Sequence, residues 1–157
     1  MEEAMIQVGQ QAPSFEVEDN DGQKIELSDL TGTGTVFYFY PKDDTPGCTV
    51  EAQDFTRLQN EFENLGFKIY GVSKDSVTSH QKFITKCDLR IPLLSDTEGK
   101  MVEAFSAWGE KKNYGKTYLG IIRSTVVTDA EGKVIKHYPN VRAKGHAERV
   151  LDDLKKL

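Results

Sequence analysis

One segment of the sequence, residues 35–40, consists of a threonine, a valine and four aromatic residues. β-Branched and aromatic residues favour strands, and a continuous apolar run is typical of a strand that is covered on both faces. Pro41 follows directly and ends the strand, because proline cannot donate a ladder hydrogen bond. We therefore expect residues 35–40 to form the central strand of a sheet that has a packed layer on each side.

The rest of the chain alternates between helical and strand patterns. From Pro46 to Leu65, apolar residues recur at steps of three and four, and Gly66 follows as a helix-ending residue. An Asp-Gly turn between two short alternating segments predicts an N-terminal hairpin. The hairpin strands are Phe15–Glu18 and Lys24–Leu27, further helices are predicted over 76–88, 99–105 and 145–157, and further strands over 67–72, 91–94, 125–128 and 134–138.

This order of elements predicts the fold class. A strand-helix-strand start, a later hairpin and a final helix indicate an α/β protein with a thioredoxin-like fold, in which helices flank a central mixed β-sheet. Residues 106–122 fit either a loop or a strand, and the sequence does not choose between them. The length of 157 residues suits one domain that spans residues 1–157.

Composition excludes several classes of partner. Twenty basic and 25 acidic residues give a net charge of -5, and no basic block stands out, so we expect neither nucleic acid nor a membrane as a partner. Residues 1–9 lack the basic start and apolar run of a signal peptide, which predicts a cytoplasmic protein. Two cysteines and three scattered histidines make a poor metal site, and no cofactor is expected.

Cys48 is the residue with the clearest chemical potential. It lies in the first turn of the helix that begins near Pro46, where unpaired backbone NH groups and the helix dipole stabilise a thiolate. It shares a helix face with Phe55, seven residues later, so the sulfur is expected to face the interior at the bottom of a pocket. The alternative is that Cys48 is simply a small buried apolar residue.

The residues around Cys48 resemble a known family. Pro41, Thr45 and Cys48 form the pattern P-x-x-x-T-x-x-C, which resembles the peroxiredoxins, and residues 41–49 are similar to the bacterioferritin comigratory protein or peroxiredoxin Q subfamily. The resemblance extends along most of the chain, through the segments 9–13, 91–96 and 120–125.

That resemblance implies a role for four residues. Cys48 would be the peroxidatic cysteine, Thr45 would hydrogen-bond the thiolate and the peroxide, Pro41 would shield the pocket, and Arg123 would supply positive charge. The reaction would be thiolate attack on hydrogen peroxide or an organic hydroperoxide, giving a sulfenic acid without metal or cofactor. Taken singly, each residue has a plainer interpretation: Thr45 as a helix cap, Pro41 as a strand terminator and Arg123 as a surface residue.

The route back from the sulfenic acid stays open. Many members of the subfamily carry a resolving cysteine five residues after the first, but here that position is Gln53. Cys87, in the second helix, is a possible resolving cysteine, although its place on the apolar stripe also predicts a packing role. The family suggests thioredoxin as the reductant, with glutaredoxin or a small thiol as the alternative.

Three other functions fit the sequence less well. A thioredoxin-type reductase needs a C-x-x-C pair, which the sequence around Cys48 lacks. A cysteine hydrolase would need one of the three histidines beside Cys48, but these are interpreted as solvated or hydrogen-bonded residues; they are His80, His137 and His146. A non-enzymatic binding or holdase domain is the remaining alternative.

Two further expectations concern the turn before Cys48 and the oligomeric state. Asp43 and Asp44 are interpreted as turn residues. The protein is expected to be a monomer.

Overall fold

Strands and helices alternate along residues 5–157, the part of the chain that the computed structural model describes. The strands are β1 (Glu16–Asp19), β2 (Lys24–Glu26), β3 (Gly34–Phe39), β4 (Phe67–Ser73), β5 (Leu93–Ser95), β6 (Trp108–Asn113), β7 (Lys116–Ile121), β8 (Ser124–Thr128) and β9 (Val134–Tyr138). The helices are α1 (Pro46–Asn64), α2 (Val77–Cys87), α3 (Lys100–Ala104) and α4 (His146–Lys155), and a short 3-10 helix spans Leu27–Leu30.

A seven-stranded mixed sheet has the order β2-β1-β5-β4-β3-β8-β9. Strand β3 lies in its interior, parallel to β4 and antiparallel to β8, and all six of its residues are buried. The predicted central strand and the β3-α1-β4 start are therefore confirmed. The N-terminal hairpin is confirmed as well, since β1 and β2 pair antiparallel.

Each face of the sheet carries its own apolar core. Because side chains alternate along a strand, Val36 and Tyr38 point to one face of β3 whereas Phe37 and Phe39 point to the other. Helices α1, α2 and α4 cover the first face, and α3 with N-terminal residues covers the second. The α/β class, with a mixed sheet flanked by helices, is confirmed.

Helix α1 begins at Pro46 as predicted and ends at Asn64, one residue before the predicted end. Its apolar stripe, which includes Phe55, Leu58 and Phe62, is buried against the sheet. Gly66 has a φ of 90°, a left-handed conformation that suits glycine just after a helix, and its NH donates to the carbonyl of Glu63. The start of this helix, near the carboxyl end of β3, determines where Cys48 lies.

The segment whose structure the sequence left open is a hairpin. Residues 106–122 contain β6 and β7, which pair with each other in a separate two-stranded sheet. Tyr114 and Gly115 form the turn, both with positive φ. Most of β7 is exposed, so its residues lack the apolar alternation that identifies a half-buried strand.

Within residues 5–157, none of the helices combines the length and the apolar character that a membrane crossing requires.

Gly71 offers a test of how tightly the first core is packed. A Cβ at this position in β4 would lie 2.7 Å from side-chain atoms of both Tyr38 and Leu93. We expect Gly71→Ala to lower the free energy of unfolding by about 1–3 kcal/mol, because added atoms in a full core force their neighbours to move. Urea unfolding measures the change. Lys68→Ala, at an exposed position on the same strand, is the control and should change stability by less than about 0.5 kcal/mol. Equal stabilities of Gly71→Ala and the wild type would contradict the tight packing.

Candidate active site

The sheet register brings two distant parts of the chain together at the first turn of α1. Strand β8 pairs antiparallel with β3, and Ser124 lies opposite Phe39. Arg123, the residue before β8, therefore lies beside the carboxyl end of β3, from which the chain leads into α1. Cys48 is the third residue of that helix and is only 1% exposed. The prediction that its sulfur faces the interior is confirmed.

Arg123 contacts both the cysteine sulfur and a carboxylate. Its Nη2 donates to Cys48 Sγ at 3.3 Å, and its Nη1 donates to Glu51 Oε1 at 2.6 Å. Gly47 makes room for the guanidinium, because a Cβ there would lie 3.1 Å from Nη2. Burial alone would lower the pKa of Arg123, but its contacts with Glu51 and Cys48 raise it. The side chain therefore carries a fixed positive charge next to the sulfur.

Glu51 is a site residue that sequence reasoning missed. Its side chain is completely buried, and its Oε2 has no hydrogen-bond partner among the described residues. Burial raises the pKa of Glu51 from 4.5 to about 7, because desolvation outweighs the attraction of Arg123. The signal that could have found it is spacing: Glu51 lies three residues after Cys48 and so on the same helix face.

Thr45 and Pro41 precede Cys48 in the turn that leads into α1, but the predicted hydrogen bond of Thr45 to the sulfur is not formed. Thr45 is the N-cap residue of α1, and its side chain makes no cap hydrogen bond. Its hydroxyl instead donates to the carbonyl of Lys42 at 2.9 Å. Pro41 is half-buried between Tyr40 and the turn, at the end of the central strand, as expected of a strand terminator.

The predicted place of Cys48 at the bottom of a pocket stays a prediction. The cysteine is covered, and Arg123 contacts its sulfur. A cleft of about 680 Å³ lies elsewhere, between the β1–β2 hairpin and α3, and none of the candidate site residues lines it.

Cys87 is the last residue of α2 and is half-buried against the same apolar core that contains Cys48. This packing agrees with its place on the apolar stripe of the helix. Both cysteines are free thiols in this structure.

The three histidines lie in environments that do not include a hydrogen bond to Cys48. His146 Nε2 and the hydroxyl of Thr125 form a hydrogen bond of 2.7 Å, and burial lowers the pKa of His146 to about 4. His137 is half-buried in β9, and burial lowers its pKa. Within the described residues, no histidine hydrogen-bonds the sulfur, so the geometry of a cysteine hydrolase is not found there.

The turn before α1 contains a second buried group that the sequence did not reveal. Asp43 and Asp44 form the predicted turn, but Asp43 is only 6% exposed and bonds to His80 and Ser79. Asp43, Asp75 and His80 lie close enough to hold a metal ion, with one ligand atom from each within 4.8 Å of the others. Those atoms already hydrogen-bond one another or their neighbours, so a metal ion would have to displace these contacts.

The arrangement at Cys48 is that of a nucleophilic thiol. A helix N-terminus and a guanidinium both stabilise negative charge on sulfur, and a charge-assisted hydrogen bond to a cation is stronger than a neutral one. The same guanidinium can stabilise an oxyanion that develops beside the sulfur.

Comparisons with known proteins agree with this chemistry. The AhpC/TSA family profile matches residues 8–137. The peroxiredoxin Bcp of Bacillus subtilis is 47% identical over 152 residues, which cover 97% of each chain.

Solved structures show the same likeness. The Xanthomonas campestris bacterioferritin comigratory protein, determined in work on its alkyl peroxide reduction activity, has a TM-score of 0.85 and 43% identity over 90% of each chain. A mutant of Xylella fastidiosa PrxQ has a TM-score of 0.92 and 34% identity over 98% of each chain.

The raised pKa of Glu51 predicts how stability depends on pH. A carboxyl whose pKa is higher in the folded state holds more protons when folded, so its contribution is complete below pH 4.5 and is lost as the pH rises through 7. Glu51→Gln removes this titration and keeps an oxygen acceptor for Arg123. Between about pH 5.5 and 8, we expect the wild type to lose about 2 kcal/mol of unfolding free energy relative to this variant. Urea unfolding at several pH values measures both curves, and parallel curves would contradict the assignment.

Proposed function

Because the chain belongs to the AhpC/TSA family and is a thiol peroxidase, we propose that Cys48 is the residue that attacks the hydroperoxide. The observation that carries this proposal is the 3.3 Å contact between Arg123 Nη2 and Cys48 Sγ at the start of α1. Cys87, in contrast, lies at the end of its helix and hydrogen-bonds no cation among the described residues. Of the two cysteines, Cys48 is therefore the one whose surroundings activate a thiol.

The proposed reaction is an in-line displacement at oxygen. The Cys48 thiolate attacks the terminal oxygen of a hydroperoxide, the S–O bond forms as the O–O bond breaks, and the leaving oxygen takes one proton from water. The products are a Cys48 sulfenic acid and water or an alcohol, so the sulfur is oxidised and the peroxide reduced. Arg123 stabilises the oxygen anion as it develops.

Neighbouring residues shape this step. Glu51 is a positioning residue: its carboxylate binds Nη1 of Arg123 and so directs Nη2 to the sulfur. Thr45 orients the peroxide once its hydroxyl turns from Lys42 towards the sulfur, and half-buried Pro41 shields the site from water. The covered sulfur supports an opening step that admits the substrate.

Recovery of the thiol requires an external reductant. Thioredoxin is the proposed donor, with glutaredoxin or a small thiol as the alternative, and Cys87 is a possible resolving thiol. The alkyl peroxide reduction named for the Xanthomonas campestris relative supports organic hydroperoxides, beside hydrogen peroxide, as substrates. The cellular role would be antioxidant defence and redox homeostasis.

We further propose that residues 1–157 form one domain that acts as a cytoplasmic monomer. The seven-stranded sheet draws strands from Glu16 to Tyr138, and α4 packs on α1, which supports a single unit. The net charge of -5 supports a role without nucleic acid. The alternative, a non-enzymatic binding or holdase domain, would leave the contact between Arg123 and Cys48 without a function.

Substitution of Cys48 distinguishes the enzyme from a binding domain. Cys48→Ser should lower peroxide consumption to the uncatalysed background, because a serine hydroxyl is not ionised at neutral pH and is a poor nucleophile towards peroxide. Consumption is followed with a dithiol reductant present, and circular dichroism checks that the variant is folded. Cys87→Ser is the matched control: it removes the other thiol and keeps Cys48, and because the dithiol can reduce the sulfenic acid directly, it should still consume peroxide. Wild-type turnover by folded Cys48→Ser would refute the proposal.

Intact mass after one equivalent of peroxide tests the role of Cys87. A disulfide between Cys48 and Cys87 loses two hydrogens, whereas a persistent sulfenic acid gains one oxygen. A disulfide requires Cα atoms within about 7 Å, and between two folded helices we expect α1 or α2 to unwind locally for it to form. If Cys87 resolves the sulfenic acid, Cys87→Ser should convert the two-hydrogen loss into an oxygen gain. A gain of oxygen in the wild type would show that Cys87 does not resolve the sulfenic acid, which leaves that step to an external thiol.

A further inference from the structure

A buried pair, Asp43 and His80, lies outside the proposed chemistry and connects its loop to another helix. His80 is 0% exposed and Asp43 is 6% exposed. His80 Nδ1 lies 2.7 Å from Asp43 Oδ2, and the Ser79 hydroxyl donates to the same oxygen at 2.8 Å. The Tyr40 hydroxyl donates to Asp43 Oδ1 at 2.6 Å. A polar group buried so deeply is costly unless it is fully paired, and here both carboxylate oxygens are paired.

The hydrogen bonds of His80 show how the pair is held. Its Nε2 lies 3.0 Å from the carbonyl oxygen of Leu94, which can only accept, so Nε2 carries a proton. Its Nδ1 faces the carboxyl of Asp43, and one proton lies between these two atoms whichever of them formally carries it. The pair is therefore neutral as a unit and can remain dry. Loss of either partner would leave the other buried without its match.

The pair connects α2 to the loop of residues 40–45, which leads from β3 into the first turn of α1. The backbone NH of Asp43 also donates to Asp75 Oδ2 at 2.8 Å, just before α2. At the other end of α2, Lys86 Nζ donates to Asp44 Oδ2 at 2.8 Å. Helix α2 thus contacts the 40–45 loop from both of its ends.

The conformation of the 40–45 loop depends on such external contacts. Asp44 has a φ of 59°, in the left-handed region that non-glycine residues seldom adopt. Two residues later α1 begins, with Thr45 as its N-cap. The orientation of the first turn of α1, and with it the direction in which Cys48 faces Arg123, therefore depends on how this loop is held.

We propose that the Asp43–His80 pair is a positioning device for the peroxidase reaction: by holding the 40–45 loop against α2, it keeps Cys48 oriented for in-line attack on a hydroperoxide. This inference rests on the proposed function of Cys48. Neither residue touches the reacting atoms; both act through the loop. The pair makes α2 part of the active-site framework, and it does so with residues 37 positions apart in the chain.

Two substitutions at His80 separate the loop contact from the rest of its packing. The amide nitrogen of asparagine lies near the position of Nδ1, whereas that of glutamine lies near the position of Nε2. His80→Asn therefore keeps a donor towards Asp43, and His80→Gln keeps the donor towards Leu94 instead. His80→Gln leaves the buried carboxyl of Asp43 without this donor and should be the less stable of the two variants. Thermal melts identify a temperature at which both variants are fully folded, and the rates are compared there.

The rate of Cys48 oxidation by hydrogen peroxide is measured by stopped flow in both variants. We expect His80→Gln to be at least about tenfold slower than the wild type, and His80→Asn to stay within about threefold, because a small misplacement of reacting groups strongly lowers a rate that depends on alignment. Alkylation of Cys48 by iodoacetamide needs no O–O alignment and should change much less in His80→Gln. Wild-type oxidation by His80→Gln, or equal losses in both variants, would overturn the proposal.

Ser79 provides a second variant in case His80→Gln does not fold. Ser79→Ala removes one of the hydrogen bonds from α2 to Asp43 and should slow oxidation about threefold. Thr78→Ala, at the exposed neighbouring position, is the matched control and should react like the wild type. An unchanged rate in Ser79→Ala would overturn the proposal. If Cys48 is not the peroxide-reactive residue, the wild type itself will show no oxidation of Cys48, which identifies a failure of the proposed function and not of the positioning role.

Discussion

The contact between the Arg123 guanidinium and the Cys48 sulfur is the interaction on which the proposed chemistry depends. It joins residues 75 positions apart, and it exists because β8 pairs with β3 in a register that places Ser124 opposite Phe39. A shift of one residue in that register would turn Arg123 to the other face of the sheet. The two apolar cores on either side of β3 specify the register, because a shift would expose their side chains.

The site and the loop before it combine four buried or mostly buried ionisable groups. Glu51 is completely buried, Arg123 is mostly buried, and both members of the neighbouring Asp43–His80 pair are buried. Buried charge pairs add little net stability, because desolvation offsets much of their attraction. Their value lies in geometry instead: each group can be satisfied only in one arrangement, so the sulfur, the guanidinium and the loop before α1 are held in a defined relation.

Local sequence patterns predicted most of the framework. The strand at residues 35–40, the helix from Pro46 and the N-terminal hairpin follow from apolar periodicity and turn residues, which act over a few positions. The hairpin of β6 and β7 did not follow, because its exposed residues carry no clear alternation. The hydroxyl of Thr45 bonds to Lys42 and not to sulfur, since a side chain that can reach two acceptors is oriented by its surroundings. Glu51 and Asp43 resemble surface residues in sequence, and only the packing around them shows that they are buried.

By itself the sequence determined the order of strands and helices and the place of Cys48 in the first turn of a helix, because both depend on residues close together in the chain. The tertiary structure decided which distant side chains meet that sulfur and its loop: Arg123 across the sheet register, and His80 from α2. The physical reason is that hydrogen bonds between remote residues require their backbones to be brought within a few ångströms, and only the packed sheet and helices do that.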